Sequence, residues 1–414
     1  MADKFIKNGY EIVEFDKKAD IYIINTCTVT NMSDRKSRQI IGRVKNINPN
    51  SVLIVTGCYA QIAAEELKEN EKIDLIIGNT EKKDIVNIVK DYINNKDAKN
   101  NKINLTDINK QKEYVDFGSI TYTEKTRAVI KVQDGCNNFC SYCIIPYAKG
   151  RVRSRTINSV IDEIKSIVKT GIQEVVITGI HVASYGMDFE NNNIGLIDLL
   201  EEINKIDNLK RIRLGSLEPN LITDEFIKRL KKLDKICDHF HLSLQSGCNE
   251  TLERMNRKYS VKDFRNVVKR IRDVYPNVAL TTDIIVGFPG ETEEEFEKTY
   301  NFLKEINFYK MHVFKYSQRK GTRAAIMQNQ VDGKTKEERS HILIELSNKN
   351  EIEYLKKYIG KKVKVLFEQK ENEYYKGHTS NYIVVKTKGE NLDNQIIDVD
   401  IKEESNAELY GDIV

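Results

Sequence analysis

A regular alternation of short apolar runs and helical patterns between residues 128 and 317 constrains the fold of this chain most. Runs rich in Val, Ile and Leu predict buried strands, which fall at 128–133, 174–179, 211–216, 239–246, 280–287 and 311–317. Helical spacing predicts the connecting helices, for instance at 158–170, 225–233, 261–274 and 293–306. Such alternation is typical of a parallel sheet covered by helices. Six strand–helix units predict a partial version of the eight-fold parallel barrel, a (β/α)6 barrel whose chemistry lies at the carboxyl ends of the strands.

The first 93 residues show a shorter version of the same pattern. Strands are predicted at 20–26, 52–57 and 74–78, and helices at 33–47, 60–70 and 82–93, with Ser33 as the N-cap of the first of these helices. This predicts an open parallel α/β domain over 1–93. The polar and charged run that follows predicts an exposed linker over 94–121.

The last part of the chain has a different pattern. A charged helix is predicted over 335–358, followed by short alternating strands at 362–367, 377–386 and 395–399. These strands predict a small β-barrel of the oligonucleotide-binding type over 355–414. The (β/α)6 domain accordingly spans 122–352, and the whole chain is of the α/β class with three domains.

Composition indicates a cytoplasmic enzyme rather than a membrane or low-complexity protein. Apolar residues make up 40% of the 414 residues, charged residues make up 31%, and there are five prolines. No apolar run approaches the roughly 18 residues that span a bilayer, so no membrane partner is expected. The net charge of +4 neither requires nor excludes a nucleic-acid partner.

Three cysteines, Cys136, Cys140 and Cys143, follow the first strand of the predicted barrel with the spacing C-x-x-x-C-x-x-C. Three thiolates on one loop can hold three irons of a cubane iron–sulfur cluster and leave the fourth iron open. An open iron can chelate a substrate or a cofactor. A zinc site or chance spacing is the alternative, but zinc needs a fourth ligand and no Cys or His follows within thirty residues.

With these motifs in place, nearly the whole chain resembles the methylthiotransferase family of radical S-adenosylmethionine enzymes. The motifs that carry the resemblance lie at 24–31, 55–61, 136–143, 150–155, 214–219, 241–247, 254–259, 283–292 and 312–317. Residues 216–219 and 312–322 are most similar to the branch that acts on threonylcarbamoyladenosine in tRNA. The C-terminal barrel resembles the TRAM domain with which this family holds RNA.

The resemblance implies a reaction and its cofactors. A 4Fe-4S cluster on the three cysteines would chelate S-adenosyl-L-methionine, whose reductive cleavage gives a 5′-deoxyadenosyl radical that takes hydrogen from C2 of the adenine. The family's second cluster would deliver the sulfur, methylated by another S-adenosyl-L-methionine. The implied partners are tRNA with threonylcarbamoyladenosine in the anticodon loop, a reductant such as a flavodoxin-type electron donor, and a sulfur source.

Five residues are candidates for contacts to S-adenosyl-L-methionine, and a capping or packing role stays open for each. They are Tyr142, Thr178, Gly179, Glu218 and Gln245. Glycine admits a close approach of the cofactor to the backbone.

For the second cluster, Cys27 and Cys58 match two of the family's three ligands, each at the end of a predicted strand. Two buried structural thiols are the alternative. The family's first strand, with its cysteine, has no counterpart here. We therefore expect either that the natural start lies upstream of Met1 or that part of the site is lost. Cys237 and Cys248 match no cluster motif and are expected to be structural.

Some functional alternatives stay open. Arg151, Arg153 and Arg155 could contact tRNA phosphates or orient the cysteine loop through carboxylates. The chain could be a non-catalytic RNA-binding protein with a structural cluster, or a methylthiotransferase of another substrate branch, including a protein substrate. It could also be a form that cleaves S-adenosyl-L-methionine and binds tRNA without efficient sulfur insertion.

Overall fold

The computed structural model describes residues 1–28, 31–94, 102–116, 126–190 and 194–414. The chain forms two compact units, each made of three stretches of sequence. The first unit is formed by Met1–Tyr122, Asp134–Arg153 and Ser317–Ile326, and the second by Thr123–Gln133, Ser154–Tyr316 and Met327–Val414. None of the described helices has the length and apolar character that crossing a bilayer requires.

A parallel sheet forms the centre of the first unit. Its strands, in spatial order, are β1 (Ile21–Thr26), β2 (Val52–Gly57), β3 (Leu75–Ile77) and β4 (Ile103–Asn104). The helices of this unit are α1 (Ala2–Ile6), α2 (Asn31–Ile47), α3 (Cys58–Ile62), α4 (Ala64–Lys68), α5 (Ile85–Asn94) and α6 (Ile145–Lys149). Side chains of β2 and β3 enter separate apolar clusters on the two faces of the sheet. Burial on both faces explains why these strands are continuous apolar runs.

The three strands predicted in this region are confirmed, but three details differ. The helix α2 begins at Asn31, so Ser33 lies inside its first turn and is not its N-cap. The predicted helix over 60–70 is two short helices, because Ala63 leaves the helical region at φ −112° and ψ 30°. The strand β4 lies inside the predicted linker and pairs with β3. Residues 95–101 of that linker lie outside the described residues.

The second unit contains the strands of the predicted barrel. They are β5 (Arg127–Asp134, whose last residue belongs to the first unit), β6 (Arg153–Ser154, whose first residue belongs to the first unit), β7 (Glu174–Gly179), β8 (Arg211–Leu214), β9 (His239–Gln245), β10 (Ala279–Val286) and β11 (Lys310–Lys315). One sheet has the order β6-β5-β7-β8 and the other β11-β10-β9. Two isolated parallel bridges, Ile212 to Ile236 and Leu217 to Leu242, connect the β8 region to the β9 region. All six predicted strands are present and form a half-barrel.

Helices cover the outer face of this half-barrel. They are α7 (Ile157–Val168), α8 (Leu196–Asn204), α9 (Asp224–Leu230), α10 (Asn249–Arg254), α11 (Val261–Val274) and α12 (Glu293–Ile306). Ser260 and Thr292 begin α11 and α12 with capping boxes, and Thr156 and Thr223 cap α7 and α9. The predicted bounds of α11 and α12 agree with the structure because these caps are visible in the sequence.

Strand alternation separates the outer face of the half-barrel from its inner face. Phe240, Leu242 and Leu244 of β9 are buried in the apolar core under the helices. Because side chains alternate along a strand, His241 and Ser243 lie on the inner face. The same rule places Thr281 and Asp283 of β10 and His312 of β11 on the inner face.

The helix α13 (Gly333–Lys356) leads into a closed β-barrel. Its strands are β12 (Lys362–Glu371), β13 (Tyr374–Thr379), β14 (Val384–Thr387), β15 (Ile396–Ser405) and β16 (Glu408–Ile413). The single strand predicted over 377–386 is two strands, because Tyr382 has a left-handed backbone at φ 65° and the chain turns there. The strand β16 was not predicted, since its sequence alternates weakly.

This C-terminal barrel contacts the amino ends of the half-barrel strands within the second unit. Arg211 of β8 donates to the backbone carbonyls of His378 and Lys364, each at 2.9 Å. Arg213 donates to the carbonyl of Ser380 at 2.9 Å, and its guanidinium lies 4.6 Å from the centre of the Tyr382 ring. The loop between β13 and β14 therefore closes the amino end of the half-barrel.

Candidate functional site

The three cysteines of the loop after β5 lie within one short segment of the first unit. Cys136, Cys140 and Cys143 are half-buried, and none forms a disulfide. The backbone N–H of Cys136 donates to the carbonyl of Gly150 at 3.1 Å. The backbone N–H of Asn138 donates to the Cys136 sulfur at 3.5 Å. An N–H directed at sulfur favours the thiolate form, which is the form that binds metal.

Gly135 and Phe139 give this loop its shape, because both have positive φ angles, 73° and 47°. A Cβ atom at Gly135 would collide with the backbone of Arg151. The ring of Phe139 lies edge-on to Tyr147 at 5.9 Å, and the Arg151 guanidinium lies 4.6 Å from the ring centre. A close backbone contact therefore fixes the start of the loop, and an aromatic ring fixes its middle.

The donor set of this loop fits an iron–sulfur cluster better than a zinc ion. In the described part of the chain, no three His, Cys, Asp or Glu side chains form a group that could hold a single metal ion. A zinc site brings its four ligands onto one ion. A cubane cluster instead takes each thiolate on a different iron, so its ligands stand farther apart.

The basic run after the loop divides into two kinds of residue. Arg153 is buried in the first unit, 3.7 Å from the Asp134 carboxylate. Arg155 is buried in the second unit and pairs with the buried Glu163. These two arginines are therefore held by carboxylates and are not presented to phosphates. Arg151 is exposed and remains a candidate for RNA contact.

Cys27 and Cys58 lie side by side at the carboxyl edge of the N-terminal sheet. They directly follow Thr26 and Gly57, which are paired in register between β1 and β2. The Thr26 hydroxyl accepts from the backbone N–H of Ala60 at 3.2 Å, which fixes the start of α3 beside Cys58. Among the described residues no third Cys, His, Asp or Glu completes a metal group with them. The two thiols alone are an incomplete ligand set for a cubane.

Buried cations lie near this edge of the sheet. Lys82 is buried and donates to the side-chain oxygens of Asn25 and Asn79, each at 2.9 Å. Arg319 pairs with Asp34 at 2.7 Å and also donates to the hydroxyl of Thr28, next to Cys27. Positive charge beside the two thiols favours a negatively charged group at this edge.

The remaining cysteines are buried within the second unit. Cys237 and Cys248 lie just outside the two ends of β9 and form no disulfide. Burial raises the pKa of the Cys237 thiol to about 12, so this thiol stays protonated at neutral pH. Their surroundings agree with the structural role predicted for them.

Three of the cofactor candidates lie at carboxyl ends of inner strands in the second unit. Thr178 and Gly179 end β7, and Gln245 ends β9 with a positive φ of 71°. A Cβ at Gly179 would lie 2.9 Å from the carbonyl of Gln133, so this glycine also serves strand packing. A left-handed non-glycine residue at a strand end is a strained conformation of the kind found at functional sites. Tyr142, by contrast, belongs to the first unit, on the cysteine loop.

Glu218, the fifth candidate, lies between an arginine and a histidine. Its carboxylate lies 2.6 Å from Arg257 and 3.6 Å from the His181 ring nitrogen. Burial raises the pKa of Glu218, but the His181 hydrogen bond and the Arg257 charge outweigh burial and lower it. Glu218 is therefore ionised at neutral pH and can accept from an ammonium group. Arg257 and His181 lie far from Glu218 in the chain, so no local pattern in the sequence points to this contact.

The inner face also carries a cluster that the sequence analysis did not single out. His241 of β9 has its Nε2 atom 3.3 Å from the Asp283 carboxylate of β10. The ring of His312 on β11 lies 5.8 Å from the His241 ring. Each of the three lies at an inward position of its strand, so strand alternation could have located the cluster.

Comparison with protein families matches two parts of the chain. Residues 130–303 match the Radical SAM superfamily, and residues 1–78 match the Uncharacterized protein family UPF0004.

Full-length relatives are similar over nearly the whole chain. The Threonylcarbamoyladenosine tRNA methylthiotransferase MtaB of Bacillus subtilis is 42% identical, over 96% of this chain and 88% of that protein. The MtaB of Aquifex aeolicus is 41% identical, over 94% of this chain and 92% of that protein. The tRNA-2-methylthio-N(6)-dimethylallyladenosine synthase of Clostridium tetani is 38% identical, over 99% of this chain and 91% of that protein.

Among solved structures, a similar fold is found in the radical S-adenosylmethionine methyltransferase TsrM of Kitasatospora setae, solved with cobalamin and a 4Fe-4S cluster. The TM-score is 0.57 at 16% identity, over 75% of this chain and 67% of that chain. At this identity the likeness concerns the fold.

Proposed function

Because this chain belongs to the radical S-adenosylmethionine family of tRNA methylthiotransferases, we propose that it inserts a methylthio group at C2 of N6-threonylcarbamoyladenosine, 3′ of the anticodon in tRNA. The observation that carries this proposal is the greater similarity of the chain to the two MtaB relatives than to the dimethylallyladenosine synthase. The position of His312, a polar residue on the inner face of the half-barrel, supports a polar substrate.

The residues of the cysteine loop have a defined part in this proposal. Cys136, Cys140 and Cys143 would hold a 4Fe-4S cluster, which together with S-adenosyl-L-methionine supplies a 5′-deoxyadenosyl radical that takes hydrogen from C2. Asn138 and Gly150 fix the loop through the backbone hydrogen bonds described above.

Contacts to S-adenosyl-L-methionine are proposed for five residues. They are Thr178, Gly179, Gln245, Tyr142 and Glu218, and the first three lie at carboxyl ends of half-barrel strands. The ionised Glu218 would accept a hydrogen bond from a cationic or hydroxyl group of the cofactor, because Arg257 and His181 keep its pKa low.

The source of the sulfur is a separate part of the proposal. A second 4Fe-4S cluster would lie on Cys27 and Cys58 if a further ligand completes the site. The buried Lys82, which donates to the neutral side chain of Asn25, would help to balance the negative charge of a cluster at this edge. A flavodoxin-type protein would deliver electrons, and a separate sulfur source would reload the site.

The test is methylthiolation of defined RNA. Anaerobically reconstituted protein is incubated with reductant, S-adenosyl-L-methionine and anticodon stem-loops carrying either threonylcarbamoyladenosine or dimethylallyladenosine, and the nucleosides are measured by mass spectrometry. We expect the methylthio product of threonylcarbamoyladenosine in excess. Product on the dimethylallyl substrate alone would assign the chain to the other tRNA branch.

A cysteine variant tests the loop in the same assay. Cys140→Ala should lose about four irons per chain and all 5′-deoxyadenosine formation, because one of three ligands is missing. The matched control Cys248→Ala removes a buried thiol outside the loop and should keep both. Undiminished 5′-deoxyadenosine in Cys140→Ala would refute the cluster assignment.

A further inference from the structure

Three neighbouring strands of the half-barrel, β9, β10 and β11, bring four polar side chains together on its inner face. In register, Thr281 of β10 pairs with His241 of β9, and Asp283 of β10 pairs with His312 of β11. Neighbouring residues in register on one face of a sheet lie close enough for their side chains to interact. The four side chains therefore form one patch that crosses β9, β10 and β11.

Hydrogen bonds to the Thr281 hydroxyl fix the side of this patch that lies nearest His239. The Thr281 hydroxyl lies 3.0 Å from His241 Nδ1 and 3.2 Å from His239 Nε2. A hydroxyl can both donate and accept, so Thr281 can hold the two histidine rings at once. Burial lowers the pKa of His239 to about 3. The rings of His239 and His241 are thus locked in place, and Asp283 is anchored on one side.

The outer part of the patch faces open space. His312 is exposed and makes no hydrogen bond or ion pair to the part of the chain that the structure describes. Asp283 keeps 31% of its side chain exposed. Phe314, two residues further on the same face of β11, is 49% exposed. An exposed aromatic ring beside exposed polar groups is an arrangement suited to a base with a polar substituent.

The two substrate branches of this enzyme family differ in the chemistry of that substituent. A threonylcarbamoyl group carries a carboxylate, a hydroxyl and urea N–H groups, whereas a dimethylallyl group is apolar. An apolar group against this patch would leave His312 and Asp283 without hydrogen-bond partners, which disfavours binding. The Asp283 carboxylate would repel another carboxylate, so it suits the N–H or hydroxyl donors, and His312 suits the carboxylate.

We propose that His312 and Asp283, supported by His241, form the subsite that receives the threonylcarbamoyl group, with Phe314 stacking on the adenine. The proposal rests on the proposed function and adds the residues that select the substrate. His312 is the specificity-determining residue, and His241 positions Asp283.

The test compares variants on two RNAs. His312→Phe removes the hydrogen-bonding nitrogens and keeps a ring of similar size, and His312→Gln restores a donor. His341→Phe on the exposed surface of α13 is the matched control. The readouts are kcat/KM for stem-loops with threonylcarbamoyladenosine or dimethylallyladenosine, stem-loop affinity by fluorescence anisotropy, and 5′-deoxyadenosine formed without RNA.

We expect His312→Phe to lower kcat/KM on threonylcarbamoyladenosine about tenfold to hundredfold, the effect of losing one hydrogen bond to a charged group. Affinity for that stem-loop should fall, while RNA-free 5′-deoxyadenosine formation stays unchanged, and His312→Gln should recover part of the loss. His341→Phe should match wild type throughout.

Two results would overturn the subsite. One is an unchanged preference between the two stem-loops in His312→Phe. The other is a parallel loss of RNA-free 5′-deoxyadenosine, which would place His312 at the cofactor. Wild type is measured first, and its failure on threonylcarbamoyladenosine would refute the proposed function itself.

Discussion

At the scale of single residues, two glycines of the first unit have opposite roles. Gly135 has a positive φ angle, and a Cβ there would meet the backbone of Arg151. Gly42 lies inside α2, where a Cβ would meet no atom within 4 Å. The first glycine is therefore required by the shape of the cysteine loop, while the second is replaceable.

Substituting each glycine by alanine tests this contrast. Gly135→Ala should destabilise the loop by at least 1–2 kcal/mol, roughly the penalty of a left-handed side chain, and lower iron incorporation. Gly42→Ala should stabilise the chain by roughly 0.5–1 kcal/mol, because alanine is the better helix former. Iron per chain and thermal unfolding measure both. Equal iron content in the two variants would show that the loop tolerates the rearrangement.

At the scale of elements, the C-terminal barrel is a structural part of the second unit as well as a candidate RNA-binding domain. Tyr382 lies against Arg213 at 4.6 Å and Arg127 at 5.1 Å, and stacks on His378 at 4.6 Å. Removing the barrel would expose Arg211 and Arg213 at the amino end of the half-barrel. A truncation would therefore confuse loss of RNA binding with loss of stability.

A point substitution separates the two effects. Tyr382→Ala should lower the free energy of unfolding by about 2 kcal/mol, since cation–π contacts and ring burial are lost. Tyr382→Phe keeps the ring and should stay within about 0.5 kcal/mol of wild type. Thermal unfolding measures both variants. A wild-type melting temperature in Tyr382→Ala would mean that this loop contributes little to the contact.

Strands and helices with a clear apolar pattern could be predicted from the sequence. Very short strands could not. The strands β9 and β10 and the helices α11 and α12 have clear periodicity and caps, and they lie where predicted. The strand β4 has two residues and is defined by its partner β3. For the candidate site, the cysteine spacing was visible, whereas the pairing of Glu218 with Arg257 depends on tertiary contacts across 39 residues.

At the scale of the whole molecule, a buried ion pair links stability to pH. Glu174 lies 2.7 Å from Arg213 on the inner face of the half-barrel. Burial raises the pKa of Glu174, but the Arg213 charge and hydrogen bond outweigh burial and lower it below the ordinary 4.5. A carboxylate with a lowered pKa stabilises the folded state above its unfolded pKa, and this stability is lost as the pH falls through the folded value.

Glu174→Gln should therefore show two changes. At pH 7 it should be about 3–5 kcal/mol less stable, because the charge of Arg213 stays buried without its partner. Between pH 5 and pH 3 it should lose less further stability than wild type. Urea unfolding across this range gives both, and Glu305→Gln, at an exposed ion pair with Arg265, is the control with little change. If wild type and Glu174→Gln lost the same free energy of unfolding between pH 5 and pH 3, this pH dependence would not come from Glu174.

The six stretches of sequence that form the two units alternate along the chain. The chain therefore passes from one unit to the other five times. Arg319 belongs to the first unit, and its bonds to Thr28 and Asp34 span 291 and 285 residues. During synthesis, the N-terminal sheet can thus not gain its last ion pair until residue 319 has left the ribosome. Although it begins first, this unit is completed late. Two sets of ribosome-bound chains test this, one ending well before residue 317 and one in which residues up to 326 have left the exit tunnel. A protease should cut the N-terminal sheet faster in the shorter chains.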